Sequence, residues 1–291
     1  MTRLLHEVLV PTDFSPRSLD VARYAVAVAR LFHSKLTLLH VSAPVNLVWG
    51  GVWSPDAIDE LMRRQKEENY TRLNSLLPDN AHGVGVQRLV VEGDPAQVIA
   101  EYAAAQRVDL IMMPTRGCSA FRRFLLGSVT AKVLHDVSCP VWTSSHVNDD
   151  HSARFVKPKV IACAIDSNPE GDAILRWASE LAADLHARVI VIHAIPELQS
   201  NPVYILDADL RRDLVSQAHT RITKVLQDSR APGAEIRIEG GSVSSVVCSA
   251  AEDNKADLLV IGRALDQGML GRLRTHAYTL IRESPCPVIS I

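Results

Sequence analysis

The chain lacks most of the features that would assign it at a glance. It has no large excess of either charge, since 31 Lys and Arg stand against 33 Asp and Glu for a formal net charge of −2. No basic tract breaks that balance, so bulk electrostatics point neither to nucleic acid nor to an anionic membrane surface. No stretch approaches the ~20 apolar residues needed to span a bilayer. The apolar run of Met1 to Val10 stops at Pro11, and no signal peptide fits it. The expectation is a soluble, cytoplasmic chain with no membrane or nucleic-acid partner. The five cysteines, Cys118, Cys139, Cys163, Cys248 and Cys286, are odd in number and contain no C-x-x-C pair. That argues against a disulfide framework or a zinc site and suits a reducing compartment. Glycine is missing from Pro11 to Ser18, which excludes a dinucleotide-binding G-x-G-x-x-G after the first strand, and no G-x-x-x-x-G-K-[ST] phosphate loop occurs. The acids and lysine of a phosphoacceptor receiver are not found, and no Ser-His-Asp or Cys-His arrangement emerges.

What is present is repetition. A length of 291 residues suggests two domains, and the chain reads twice. Val8-Leu9-Val10-Pro11-Thr12-Asp13 is echoed by Ile161-Ala162-Cys163-Ala164-Ile165-Asp166. Leu36 to Val41 is echoed by Val189 to Ala194, with His40 matching His193. Val90 to Asp94 is echoed by Ile238 to Ser242, Asp109 to Met113 by Asp257 to Ile261, and Ser138 to Val141 by Pro285 to Val288. Matches that keep one order imply a duplication. Between the copies, Ser144 to Pro158 is polar and aperiodic and reads as a linker. The expected domains are 1–145 and 158–291, joined by 146–157.

Within each copy, short apolar runs alternate with helical patterns. Strands are expected at about 5–10, 35–41, 85–91, 109–113 and 140–144. Val21, Tyr24, Ala25, Val28 and Leu31 keep a 3.6-residue rhythm over Asp20 to Phe32. Ser15-Pro16, Asp94-Pro95 and Asn168-Pro169 each read as a cap followed by proline at the first helical position. Apolar strands separated by helices imply a parallel sheet covered on both faces. Right-handed crossovers then give a doubly wound sheet, which binds ligands beyond the carboxyl ends of its strands where the order reverses.

That rule directs attention to Pro11-Thr12-Asp13, to the residues around Val41, and to the loop after Met113. The loop runs from Pro114 through Arg116, Gly117, Arg122 and Arg123 to Gly127-Ser128-Val129-Thr130. Gly127 permits close approach of backbone to a ligand. Ser128 is expected to cap the helix that follows, whose first amides make an anion-binding end. The hydroxyls of Ser128 and Thr130 are candidate donors, and the arginines bring positive charge.

This loop resembles the nucleotide-binding signature of the universal stress protein family. That signature is Gly, two residues, Gly, nine residues, then Gly followed by Ser or Thr. Here Gly117 and Gly127-Ser128 match at the right spacing, while Pro114 replaces the first glycine. Pro11-Thr12-Asp13, His40-Val41 and Cys139-Pro140-Val141 extend the resemblance over both copies. It implies two five-stranded parallel-sheet domains of the adenine-nucleotide α-hydrolase-like type, packed as an intramolecular pseudo-dimer through their last strands, with a homodimer plausible. It also implies ATP or another adenine nucleotide in the first domain, with Mg or Mn bridging phosphates. By resemblance, Asp13, beside Pro11 and Thr12, would meet the ribose or adenine, and Val41 would meet adenine through its backbone. Met113, Gly117, Gly127, Ser128 and Val129 would surround the ribose and phosphates. Pro114 offers no amide donor there.

In the second copy Gly262 fits the first glycine, Leu265 takes the place of the second, and Arg274-Thr275 stands near the third. Leucine there should crowd phosphates, so this half is expected to bind nucleotide poorly and to serve as a structural partner. Simpler readings stand beside these. Asp13 and Asp166 could cap the helices after them, and His40 and His193 could be structural. Arg122 and Arg123 could be a solvated face, and Trp49 and Trp53 could form a lid or pack on their own domain. The charges of a helix over Asp56 to Leu77 read as a solvated face. Three functions follow: a nucleotide-responsive stress factor, a scaffold acting through an unknown protein partner, and a slow ATPase that lacks a general base placed by motif.

Overall fold

The computed structural model describes residues 4–43, 55–77, 80–81, 83–116, 126–144, 157–166, 168–196, 198, 207–263 and 275–291. The expected lid tryptophans, Gly117, Arg122, Arg123, Leu265, Arg274 and most of the linker lie outside them. The chain divides into two compact units, Met1–Val141 and Trp142–Ile291.

The first unit runs β1 (Glu7–Pro11), α1 (Pro16–Phe32), β2 (Lys35–Ser42), α2 (Pro55–Leu76), β3 (Asn80–Ala81), β4 (Val84–Glu92), α3 (Pro95–Ala105), β5 (Leu110–Pro114) and α4 (Ser128–Asp136). β6 (Val141–Ser144) follows, beginning at the last residue of this unit. β1 pairs in parallel with β2 on one side, Val8 opposite Leu36, and with β5 on the other, Val8 opposite Leu110. β2 continues outward to β4, Val41 opposite Val91. Beyond the five strands expected, two-residue β3 adds an antiparallel edge on β4. The chain thus winds one way from β1 and returns to wind the other, so the order reverses between β1 and β5.

The second unit repeats this with β7 (Val160–Ala164), α5 (Pro169–Leu185), β8 (Arg188–Ile195), α6 (Ala208–Gln227), β9 (Glu235–Gly240), α7 (Val243–Asp253), β10 (Leu258–Ile261), α8 (Thr275–Glu283) and β11 (Val288–Ser290). β7 pairs in parallel with β8 and with β10, β8 with β9, and β10 with β11.

Both faces of the central strands are covered. Leu9, Leu36, Leu38, Leu39, Ile111 and Met112 are fully buried in the first unit, and Ile161, Leu175 and Ile190 in the second. Each such side chain contributes about 1.5–3 kcal/mol relative to an exposed one. Of the helical stripe expected in α1, Val21, Tyr24, Ala25 and Val28 are buried, while Leu31 is 38% exposed in the last turn.

The duplication extends to backbone detail. At the edge opposite the strand mouths, Asp109 Oδ2 accepts from the amides of His6 and Glu7, at 2.7 and 2.9 Å. Asp257 Oδ2 does the same for Lys159 and Val160, at 2.8 and 3.0 Å. His33 and His186 end α1 and α5 in the left-handed conformation, and Arg107 and Lys255 share a φ of +51°.

Candidate functional site

Thr12 leaves β1 with its amide still bonded to the Leu39 carbonyl, at 2.9 Å. Its hydroxyl is buried and lies 2.9 Å from that of Ser18 in α1, and it accepts from the Phe14 amide at 3.1 Å. Asp13 is exposed beside it, and its Oδ1 accepts from the Ser15 amide at 3.0 Å. Asp13 therefore does not cap α1. Ser15 does, its Oγ accepting from the Ser18 amide. In the second unit Asn168, not Asp166, caps α5, accepting from the Gly171 amide at 2.7 Å. Both capping readings of the aspartates are thereby corrected. The residue two positions on carries the cap, because proline at the first helical position fixes where the helix begins.

Between Asp13 and Ser15 the backbone of Phe14 takes a φ of +61°. A bulky residue in the left-handed region is strained. What holds it is a stack: the Phe14 ring lies 4.2 Å from the His40 ring, and the Arg72 guanidinium of α2 sits 4.2 Å from the centroid of the Phe14 ring. His40 Nδ1 is 2.9 Å from the Thr12 carbonyl. A carbonyl only accepts, so Nδ1 carries the proton. Burial pushes the His40 pKa down, and Arg72 adds to that. The Thr12 carbonyl and the Asp13 carboxylate act the other way without reversing it. His193 repeats the bond, with Nδ1 2.9 Å from the Ile165 carbonyl. Both histidines thus tie a strand end to its neighbour.

On the other side of the reversal, Met113 and Pro114 are the buried last residues of β5. Pro114 completes an extended strand, a conformation its ring allows. Its carbonyl accepts from the Thr130 hydroxyl at 3.1 Å. Thr130, 3% exposed, is therefore turned inward as a brace and does not offer its hydroxyl outward. The Gly127 amide donates to the Thr115 carbonyl at 2.8 Å, closing the loop on itself. Arg116 is half-buried beside it.

The cap of α4 is Gly127, not Ser128 as expected; Ser128 is the exposed first residue of the helix. Among the described residues, no side chain caps this end. By contrast α1, α3, α5, α6 and α7 are capped by the side chains of Ser15, Asp94, Asn168, Asp207 and Ser242. The first amides of a helix have no partner within it, and at α4 no described side chain takes them. Gly127 adds no bulk there. Its φ of −62° is ordinary, and a Cβ would stand 3.4 Å from Arg116 Cα.

The β1–β5 ladder pairs Leu9 with Ile111, two residues before Pro11 and Met113, and Val41 lies just past the end of the β1–β2 ladder. Pro11, Thr12, Asp13, Val41, Met113, Pro114, Arg116, Gly127, Ser128, Val129 and Thr130 thus all fall at the carboxyl-end face of the sheet, around the reversal. Gly117 lies outside the described residues. Ser18, Phe14 and Arg72 belong to the same neighbourhood and were not singled out by sequence. Ser18 could have been, since it follows the cap by one helical turn.

A parallel sheet doubly wound with helices between its strands defines an α/β protein. The profile of the Universal stress protein family matches residues 5–144 and again 158–291, and the chain belongs to that family. It is 33% identical over 141 residues to a universal stress protein of Methanocaldococcus jannaschii, covering 47% of this chain and 81% of that protein. It is 31% identical over 144 residues to one of Bacillus subtilis, covering 47% and 97%. Among solved structures, a universal stress protein from Archaeoglobus fulgidus has the same fold over the whole length. Its TM-score is 0.71 at 23% identity, covering 100% of this chain and 98% of that one. Both domains are therefore of the adenine-nucleotide α-hydrolase-like fold. No helix among the described residues is long and apolar enough to cross a membrane.

Proposed function

We propose that the first domain binds an adenine nucleotide, ATP or a relative, at the mouth of β1, β2 and β5, and so acts as a nucleotide-responsive stress or signalling factor. The observation that carries this reading is the start of α4, which alone among the six helices with a described cap residue has no side-chain cap. The amides of Ser128 and Val129 suit the phosphates, since a helix N-terminus favours negative charge. Arg116 supplies charge from the facing loop, and the Asp13 carboxylate, oriented by the Ser15 amide, suits a ribose hydroxyl. The backbone around Val41 suits the adenine edge. A bound Mg or Mn would be held mainly by phosphate oxygens, which hard cations prefer. No group of three or more His, Cys, Asp or Glu able to hold a metal stands among the described residues.

The test is titration calorimetry with ATP and Mg on the whole chain. Saturable binding at one site per chain is expected. Gly127→Glu, which sets a carboxylate against the phosphates, is expected to weaken it by roughly a hundredfold, the scale of a lost charge-assisted contact plus repulsion. Equal affinity in the variant and the wild type would refute the assignment.

A further inference from the structure

The mouth of the second sheet carries a half-open cavity of ≈ 800 Å³. That is within the range of sites that take small molecules. Its aliphatic walls include Ile165, Ile174, Val243, Val247, Ala277 and Leu280, contributed by the end of β7 and by α5, α7 and α8, and Asn168 and His276 line it as polar residues. Asp166 and Glu170 border it as exposed carboxylates. Arg263 also borders it, and is 8% exposed.

Three positions that carry hydroxyls behind the first mouth lack them here. Ile165 stands where Thr12 stands, each being the residue whose carbonyl meets the histidine of the neighbouring strand. Gly171 stands where Ser18 stands, each giving its amide to the helix cap. Ala277, the third residue of α8, stands where Thr130 stands in α4. Three hydroxyls are replaced by two apolar side chains and a hydrogen. The amide of Gly171 is already taken by Asn168, and among the described lining residues the carboxylates of Asp166 and Glu170 stand with the Arg263 guanidinium and the His276 imidazole. A phosphate brought here would lose hydration and meet like charge.

We propose that this cavity is a second binding site, for a phosphate-free small molecule with an apolar body. The volume and the aliphatic walls provide the affinity, and the carboxylate rim sets the selection against anions. The site is independent of the nucleotide site of the first domain and does not rest on it.

The probes are N-phenyl-1-naphthylamine, which is neutral, and 8-anilino-1-naphthalenesulfonate, the same body carrying an anion. Fluorescence titration of the whole chain is expected to show saturable binding of the neutral probe. The sulfonate is expected to bind more weakly by roughly tenfold, and ATP with Mg is expected not to displace the neutral probe. Ala173→Phe, at an exposed position of the lining, and Val243→Trp should each reduce neutral-probe affinity by about tenfold as the added ring fills the space. A readout independent of variant folding is methyl NMR: the Ile165 and Ile174 methyl signals should shift with the neutral probe while Ile99 and Ile111 of the first unit stay still. The proposal is overturned if the neutral probe does not saturate, if the sulfonate binds as tightly, or if ATP displaces it. It is equally overturned if the shifts fall on Ile111 instead, or if both variants fold and bind the neutral probe as the wild type does.

Discussion

The two strand mouths share a scaffold and differ in how one aspartate turn is closed. In the first unit the Asp13 side chain accepts from the amide two residues on. In the second the Asp166 backbone carbonyl does so, accepting from the Asn168 amide at 2.9 Å. The turned carbonyl then points at the start of α5, so that a Cβ on Gly171 would lie 2.0 Å from it. Ser18 occupies the corresponding place in α1 and uses its hydroxyl to reach Thr12. One change of hydrogen-bond acceptor thus decides whether the helix start can carry a side chain at all. Ile165 and Ala277 line the cavity of the second mouth at the places that Thr12 and Thr130 hold in the first.

The largest way to break this comparison is to restore the first unit's residue in the second. Gly171→Ser should cost roughly 3 kcal/mol or more, because the clash is with backbone that cannot move cheaply. Denaturant unfolding measures it, and a loss under 1 kcal/mol would show the Asp166 turn to be soft. Removing the α5 cap with Asn168→Ala should cost about 1 kcal/mol, read in the same way.

A smaller effect is expected from acid. Since His40 has its pKa lowered in the fold, the unfolded chain binds the extra proton first. Stability should therefore be full above the ordinary value of 6.5 and fall as pH drops below it. Protonation would also place a second cation beside Arg72. Thermal melts from pH 8 to pH 5 should show a decline that His40→Gln flattens; the same slope in both would remove His40 from the account. The smallest effect on stability belongs to Gly127→Ser. It gives α4 the cap it lacks at an unstrained φ, so stability should change by only a few tenths of a kcal/mol. ATP affinity should nevertheless fall, and calorimetry on a fully folded variant separates the two.

Much of this was legible because it is local. Ser15-Pro16, Asp94-Pro95 and Asn168-Pro169 start helices as their spacing says, and the buried stripe of α1 follows its period. The order of the repeated strands was legible because each copy checks the other. Phe14 was not, since its positive φ is imposed by a stack whose Arg72 lies far along the chain. The inward turn of Thr130 was hidden for a similar reason: a hydroxyl near a glycine looks the same in sequence whether it faces a ligand or braces a carbonyl. The cap of α4 was displaced by one residue, because a serine resembles a better cap than the glycine before it.

The paired carboxylates of Asp109 and Asp257 have a consequence beyond their own hydrogen bonds. Each grips the first amides of a central strand from the rear of its sheet, so strand alignment is anchored at the end opposite the strand mouths. The front rim can then exchange hydroxyls for aliphatic groups without slipping the ladder. A chain held from behind in this way can present two chemically unlike openings on one inherited frame.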